Sequence, residues 1–264
     1  MGTGAQLVNI CILISDDVFF KPKVLFNLLL KKGTDVCLVA EVKDGAKNTN
    51  RKRGLTGLQF WGIWNALRLK LIDCGIRIIA RFLPSFARSF FSNKEVCAFF
   101  RVPFVKINSV NDPDFVRHVS STSPDLIISI QRQILDTDIL AVPTIACVNF
   151  HPSKLPEYRG FWPILLAMIN GDRTIGVTAH IMTDKIDMGP IVTRREFETS
   201  PGFSLMDNYR IVYELFPEII CEAIDLLGGG KSTDFPDFPD DTPYCPGPTA
   251  SEMKKLRAGN LRLL

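Results

Sequence analysis

"LVNICILISDDVFFKPKVLFNLLLKKGTDVCLVAEV", residues 7–42, reads as strand, helix, strand. Its first segment, 7–15, is a short apolar run closed by polar residues, the pattern of a strand buried in a parallel sheet. Residues 24–33 have helical spacing and end on Gly33, a helix stop. Residues 35–42 are a second apolar strand. Two strands joined through a short helix make a βαβ unit, whose crossover is right-handed in nearly every sheet. This opening sets the expected class: α/β, with a doubly wound, mostly parallel sheet of Rossmann-like type.

The pattern continues outward from there. Residues 93–107 read as helix then strand, and 111–125 as a helix opened by Asp112-Pro113 and ended by Ser123-Pro124. Buried strands are expected at 125–130, 144–150 and 175–182, with a helix at 163–171 between the last two. Residues 204–230 form a long amphipathic helix closed by glycines. A proline-rich, acidic and extended segment follows at 231–248. Thr249 and Glu252 then stand at capping-box spacing ahead of a terminal helix that Gly259 would stop. The expected division is a catalytic domain at 1–203 and a short C-terminal extension at 204–264.

Composition narrows the class. The chain has 264 residues, 46% of them hydrophobic, enough for a large buried core. Seven cysteines are scattered without CxxC or metal-type spacing, mostly inside apolar runs. A reducing, cytoplasmic setting fits them. The start lacks a basic n-region, Gln6 stands where myristoylation wants Ser or Thr, and no apolar run reaches spanning length. Net charge is +3, too small to imply nucleic acid.

That charge is uneven. A polar, basic loop at 43–54 leads into residues 55–91, rich in apolar and aromatic side chains. There Lys70, Asp73, Arg77 and Arg81 mark a polar edge at three- and four-residue steps. Two readings stand: a helix packed on the domain with its basic edge in water, or a basic amphipathic surface resting on anionic lipid or on a membrane-bound partner.

Chemistry concentrates at strand 144–150, which ends in Asn149-Phe150-His151. Functional groups of open α/β sheets sit beyond the carboxyl ends of strands. Alternation puts Asn149 and His151 on one side and Phe150 on the other. An amide can donate to a developing oxyanion, and an imidazole can move a proton near neutral pH. Asp187, before Met188-Gly189 and after the next strand, can reach the same crevice if neighbouring parallel strands deliver both loops there. Its carboxylate could then orient the imidazole and stabilise its charged form. A metal is the poorer reading, because no other histidine or cysteine sits at ligand spacing nearby. His180 reads as a strand residue facing the cleft, and His118 as a surface residue on a polar helix.

"NFHPSKLPEYRGFWPILLAMINGDRTIGVTAHIMTDKIDMGPIV" (149–192) resembles the core of the formyltetrahydrofolate-dependent formyltransferases. That family shows Asn-x-His-x-Ser-x-Leu-Pro-x-x-[Arg/Lys]-Gly, then Gly-[Val/Cys]-Thr-x-His, then Asp-x-Gly. Lys154 stands here where leucine is commoner. The resemblance implies N10-formyltetrahydrofolate as co-substrate and no metal. It implies that Asn149 holds the formyl oxygen, that His151 assists proton transfer from an attacking amine, and that Asp187 tunes the imidazole. It implies a folate pocket built from Arg132, Gln133, Ile134 and Leu135, next to Gln131, and from Thr183, Asp184, Lys185 and Ile186. It also makes Leu155-Pro156 a candidate cis bond.

Among acceptors, the family's tRNA enzymes continue into a larger basic C-terminal barrel, whereas about 60 residues follow the strand and loop of the Asp187 region here. Its purine enzymes carry a glycine-rich phosphate loop where this chain has "ISDDVFFKPK" (14–23). "YCPGPTASEMKKLRAGNLRL" resembles the tail of sugar-directed relatives. The expectation is therefore a nucleotide-linked amino sugar, as in O-antigen assembly. The alternatives are another small amine, methionyl-tRNA, or a non-catalytic folate-binding scaffold. Nucleic acid is not expected as a partner, while weak membrane-surface contact through 55–91 and a homodimer stay open.

Overall fold

The computed structural model describes residues 8–43, 57–200, 202–230, 238–239 and 241–258. Strands β1 (Ile10–Ser15) and β2 (Val36–Val42) flank helix α1 (Lys21–Lys32) and pair in parallel. Gly33 is not a left-handed stop: at φ −60° it carries the helix into a 3-10 turn over Gly33–Asp35. Beyond α2 (Gly57–Ala80) and the short α3 (Ser85–Arg88) come α4 (Asn93–Phe100) and β3 (Phe104–Ile107). Helix α5 (Pro113–Ser121) starts as expected, with the Asp112 carboxylate accepting from the Asp114 and Phe115 amides. Then follow β4 (Leu126–Ile130), α6 (Thr137–Leu140), β5 (Ala146–His151), α7 (Pro163–Asn170), β6 (Thr174–Ile181) and β7 (Ile191–Glu198). Helices α8 (Leu205–Gly228) and α9 (Ala250–Ala258) close the chain.

The strands form one sheet in the order β3-β2-β1-β4-β5-β6-β7. The first five run parallel, which is the doubly wound class expected. Along β1, Ile10, Ile12 and Ile14 enter one core with α1 and α8, while Cys11 and Leu13 enter the other with α5. Helix α8 places Val212, Phe216, Ile219, Ile220 and Ala223 in the same core as the sheet. At α9 the expected capping box is present: the Glu252 carboxylate accepts from the Thr249 amide at 2.6 Å, and Thr249 Oγ1 accepts from the Glu252 amide at 3.2 Å. Gly259 and all of the 43–54 loop except Lys43 lie outside the described residues.

Two expectations are corrected. Strand 175–182 does not continue the parallel order: β6 runs antiparallel to β5, with Asn149 opposite His180 and His151 opposite Thr178. After α7, Gly171 at φ 76° turns the chain straight into β6 beside the carboxyl end of β5, so no crossover precedes β6 and it runs back along β5. β7, unforeseen in a charged stretch, closes an antiparallel hairpin with β6. Its buried Ile191, Val192 and Thr193 give way to the half-buried Arg194 and exposed Arg195, the charging typical of an edge strand.

The second correction is partial and concerns α2. Lys70 and Arg81 face water as a basic edge would, while Arg77 also pairs with Asp16 of the loop after β1 at 3.1 Å and with Asp73 at 3.0 Å. Among the described apolar side chains of the helix, Leu69 and Ile76 are half-buried but Leu71, Ile78 and Ile79 are exposed.

Candidate active site

The site begins at the end of β5. Phe150 is buried in the core, so Asn149 and His151 emerge on the opposite face, as alternation requires. The antiparallel β6 brings the buried His180 directly opposite Asn149. Residues 182–190 connect β6 to β7 and fold back over this face, closed where the Ile181 amide donates to the Pro190 carbonyl at 2.9 Å. Gly189 is required at that crossing, since a Cβ there would sit 1.7 Å from the Ile181 oxygen. Asp187 holds φ 50°, a left-handed conformation that carboxylate and amide residues tolerate better than most.

These features bring Asn149, His151 and Asp187 together. His151 Nδ1 lies 3.7 Å from Asp187 Oδ2, and His180 Nε2 lies 3.6 Å from Asp187 Oδ1. Asn149 Nδ2 sits 3.4 Å from Asp187 Oδ1 and 3.3 Å from His180 Nε2. The Asp187 carboxylate is only 13% exposed and the His151 ring 6%.

The tautomer of His151 follows from its other partner. Nε2 lies 3.0 Å from the Tyr158 carbonyl oxygen, which can only accept, so Nε2 carries the hydrogen. In the neutral ring, Nδ1 is therefore the bare nitrogen, and it faces the Asp187 carboxylate. Burial pushes the His151 pKa below its ordinary 6.5; the Asp187 charge and the Tyr158 carbonyl work against that shift without cancelling it, and His180 adds to it. Burial opposes the Asp187 charge, but the His151 and His180 imidazoles and the Gly160 amide outweigh it and hold the carboxyl below its usual range. At neutral pH the pair is thus a neutral base beside a carboxylate. A proton taken up on Nδ1 would be stabilised at once by Asp187.

The loop after His151 supplies the Tyr158 carbonyl through local geometry. Thr178 Oγ1 accepts from the Leu155 amide at 3.1 Å and donates to the Ser153 carbonyl at 2.7 Å, pinning the loop to β6. Leu155-Pro156 is cis, as the resemblance suggested. Tyr158 and Gly160 take positive φ, 55° and 109°. A Cβ on Gly160 would meet the Cys245 carbonyl at 2.3 Å, because the C-terminal segment lies against this loop. The Cys245 amide donates to the Arg159 carbonyl at 2.8 Å, and Arg159 Nη1 donates to the Thr242 carbonyl at 2.7 Å. Arg159 Nε also holds the Ile186 carbonyl at 2.8 Å, so one guanidinium ties the His151 loop, the Asp187 loop and the tail together. Tyr158 does not stand out in the sequence as a site residue, whereas Arg159 fills the [Arg/Lys] position of the quoted motif without a role having been assigned to it.

The residues expected to line a folate pocket divide. Thr183, Asp184, Lys185 and Ile186 form an exposed loop, in which Thr183 Oγ1 bonds the Lys185 amide and carbonyl. Ile134 is exposed, and Arg132 lies close enough to influence Tyr209. Leu135 is instead buried in the second core, so its side chain does not face a cleft. Gln133 is occupied structurally: its amide accepts from the Val110 N–H at 3.0 Å and donates to the Asn108 and Lys43 carbonyls. His118 is exposed on α5. A cavity of about 590 Å³ lined by Lys154, Tyr158, Asp172, Arg173 and Cys245 among others backs the loop, and no residue of the cluster lines it.

Residues 84–224, more than half of the chain, match the formyl transferase family. Methionyl-tRNA formyltransferase of Thermotoga sp. (strain RQ2) is 35% identical over 131 residues, covering 49% of this chain and 42% of that protein. The chain thus spans less than half the length of that curated relative. Glycinamide ribonucleotide transformylase 1 from Symbiobacterium toebii superimposes with a TM-score of 0.59 at 17% identity, over 85% of this chain and 89% of that one. The sugar 3N-formyl transferase WlaRD, solved in the presence of dTDP and 5-N-formyl-THF, gives a TM-score of 0.55 at 16% identity, over 91% and 70%. At such identities the structural likenesses show the fold alone.

Proposed function

The chain belongs to the formyl transferase family, and on that premise we propose that it moves the formyl group of N10-formyltetrahydrofolate to the amine of a nucleotide-linked amino sugar. The observation that carries the reading is the cluster of Asn149, His151 and Asp187 within 3.4–3.7 Å of Asp187. Formyl transfer to an amine needs a donor for the oxygen that gains charge, a base for the amine proton, and a partner for the charge that base acquires. These are the three groups present.

Asn149 Nδ2 donates to the formyl oxygen and strengthens that bond as the oxygen becomes an oxyanion. His151 Nδ1 takes the proton from the attacking amine as its nitrogen bonds to the formyl carbon. Asp187 pairs with the imidazolium so formed, and Tyr158 keeps Nε2 engaged so that the proton stays on Nδ1. His151 then returns the proton to the departing folate nitrogen as its bond to the formyl carbon breaks. Loops 131–135 and 183–186 are the proposed folate walls, with Ile134 and Ile186 supplying exposed apolar contacts.

A sugar-linked acceptor is favoured by the likeness of residues 244–263 to the tails of sugar-directed relatives, and by the docking of Cys245 against the catalytic loop. A second reading, methionyl-tRNA as acceptor, is favoured by the 35% identity to a methionyl-tRNA formyltransferase. Tetrahydrofolate release from the formyl donor, followed with a panel of dTDP-, UDP- and GDP-linked amino sugars and with methionyl-tRNA, tests both. Turnover with a nucleotide sugar supports the first reading and turnover with tRNA alone replaces it by the second. Folate binding without turnover on any amine would leave only a scaffold.

A further inference from the structure

Helix α2 turns a greasy stripe to solvent. Leu67, Leu71 and Ile78 are 46, 64 and 57% exposed, and Phe82, in the turn that continues the helix, is 85% exposed. Steps of four, seven and four residues stack them along one face, with the exposed Cys74 filling the gap. Lys70 and Arg81 border that stripe on one side and Arg68 on the other, all three exposed. Asp73 is the only acidic residue of the helix, and Arg77 occupies it on the edge turned toward Asp16. Over residues 67–82 the outward face is therefore apolar, widened by the exposed Ile72 and Ile79 on the Arg68 side, and its exposed charges are all cationic.

We propose that this face of α2 docks on an anionic lipid bilayer, lying in the plane of its surface. An aqueous helix gains nothing from an exposed apolar stripe, and burying it to the level of the acyl boundary recovers that free energy. The margins are built for the same boundary: Lys and Arg keep their stems along the apolar region while their charges reach lipid phosphates. No helix among the described residues is long and apolar enough to cross a membrane, so the helix lies on the surface and does not span. Charge selects this occupant over a second copy of the chain, because self-pairing of the stripe would align two cationic margins with no acidic counterpart.

Flotation of the full chain with vesicles tests this. Vesicles of phosphatidylcholine with about 30% phosphatidylglycerol are expected to bind at least about tenfold more protein than phosphatidylcholine alone. The double variant Leu71→Glu/Ile78→Glu should lose binding at least about tenfold while keeping its circular dichroism and melting temperature. Lys70→Glu/Arg81→Glu should abolish the preference for anionic vesicles. No binding to anionic vesicles at low salt, or equal binding to both compositions, overturns the proposal. So does a dimer in sedimentation that Leu71→Glu/Ile78→Glu dissolves.

Discussion

Replacing Asp187 by asparagine isolates the electrostatic part of the site. Asparagine tolerates the left-handed φ of 50° at this position, so the loop should keep its path while the charge disappears. At the observed 3.7 Å separation from His151 Nδ1, two unit charges interact by about 4 kcal/mol at an effective dielectric of about 20. A proton half transferred in the transition state would draw on about half of that and a fully transferred one on nearly all, so kcat/KM should fall by roughly 30- to 700-fold. The pH profile should move as well. His151 acts as a neutral base, so activity is lost in acid as Nδ1 protonates. Its pKa already lies below 6.5 through burial, and Asp187 is the group that pulls it back up. Without that charge the pKa drops further, and the acid limb of kcat/KM should shift to lower pH. Tetrahydrofolate release across the acid range reads both effects. A variant within about threefold of the parent, or an acid limb unmoved or shifted upward, would refute the assignment of Asp187 as the partner of a proton-bearing Nδ1.

Four further outcomes are expected. Asn149→Ala should lower kcat by about 10²–10³ with little change in KM, as loss of an oxyanion donor does, and steady-state kinetics would show the split. Gly189→Ala should displace the loop that carries Asp187, lowering activity at least about tenfold while far-ultraviolet dichroism stays that of the parent. His151, with its pKa depressed in the fold, contributes stability above its unfolded value of 6.5 that is lost as pH falls through the folded value. The melting temperature should accordingly drop more between about pH 7.5 and 5 in the parent than in His151→Gln. Thr249→Ala removes the hydroxyl half of the α9 capping box, leaving the Thr249 amide bond to Glu252, and should cost about 1 kcal/mol locally, seen as faster hydrogen exchange over 250–258.

Much of this molecule was legible in local pattern. Buried strands announced themselves as apolar runs at 7–15, 35–42 and 125–130, because a strand covered on both faces has no polar side to show. Asp112 and the Thr249–Glu252 pair marked helix starts, since capping is satisfied within four residues. Two-residue alternation alone placed Asn149 and His151 on one face.

Direction, reach and facing were decided only by the tertiary structure. Nothing in "IGVTAHIM" says whether it runs with β5 or against it, because apolar periodicity is the same either way. Hydrogen bonding across the sheet made β6 antiparallel and so set His180 opposite Asn149. Asp187 reaches the imidazole through a loop that depends on a left-handed residue and a backbone crossing at Gly189, contacts between segments far apart in register. The Tyr158 carbonyl, which fixes the His151 tautomer, has no side-chain signature at all. In α2 the helical period was plain, yet it did not say that Arg77 would meet Asp16, a partner more than sixty residues away in sequence, or that Leu71 and Ile78 would face water. Periodicity records which residues share a face; only the packed chain determines what that face meets.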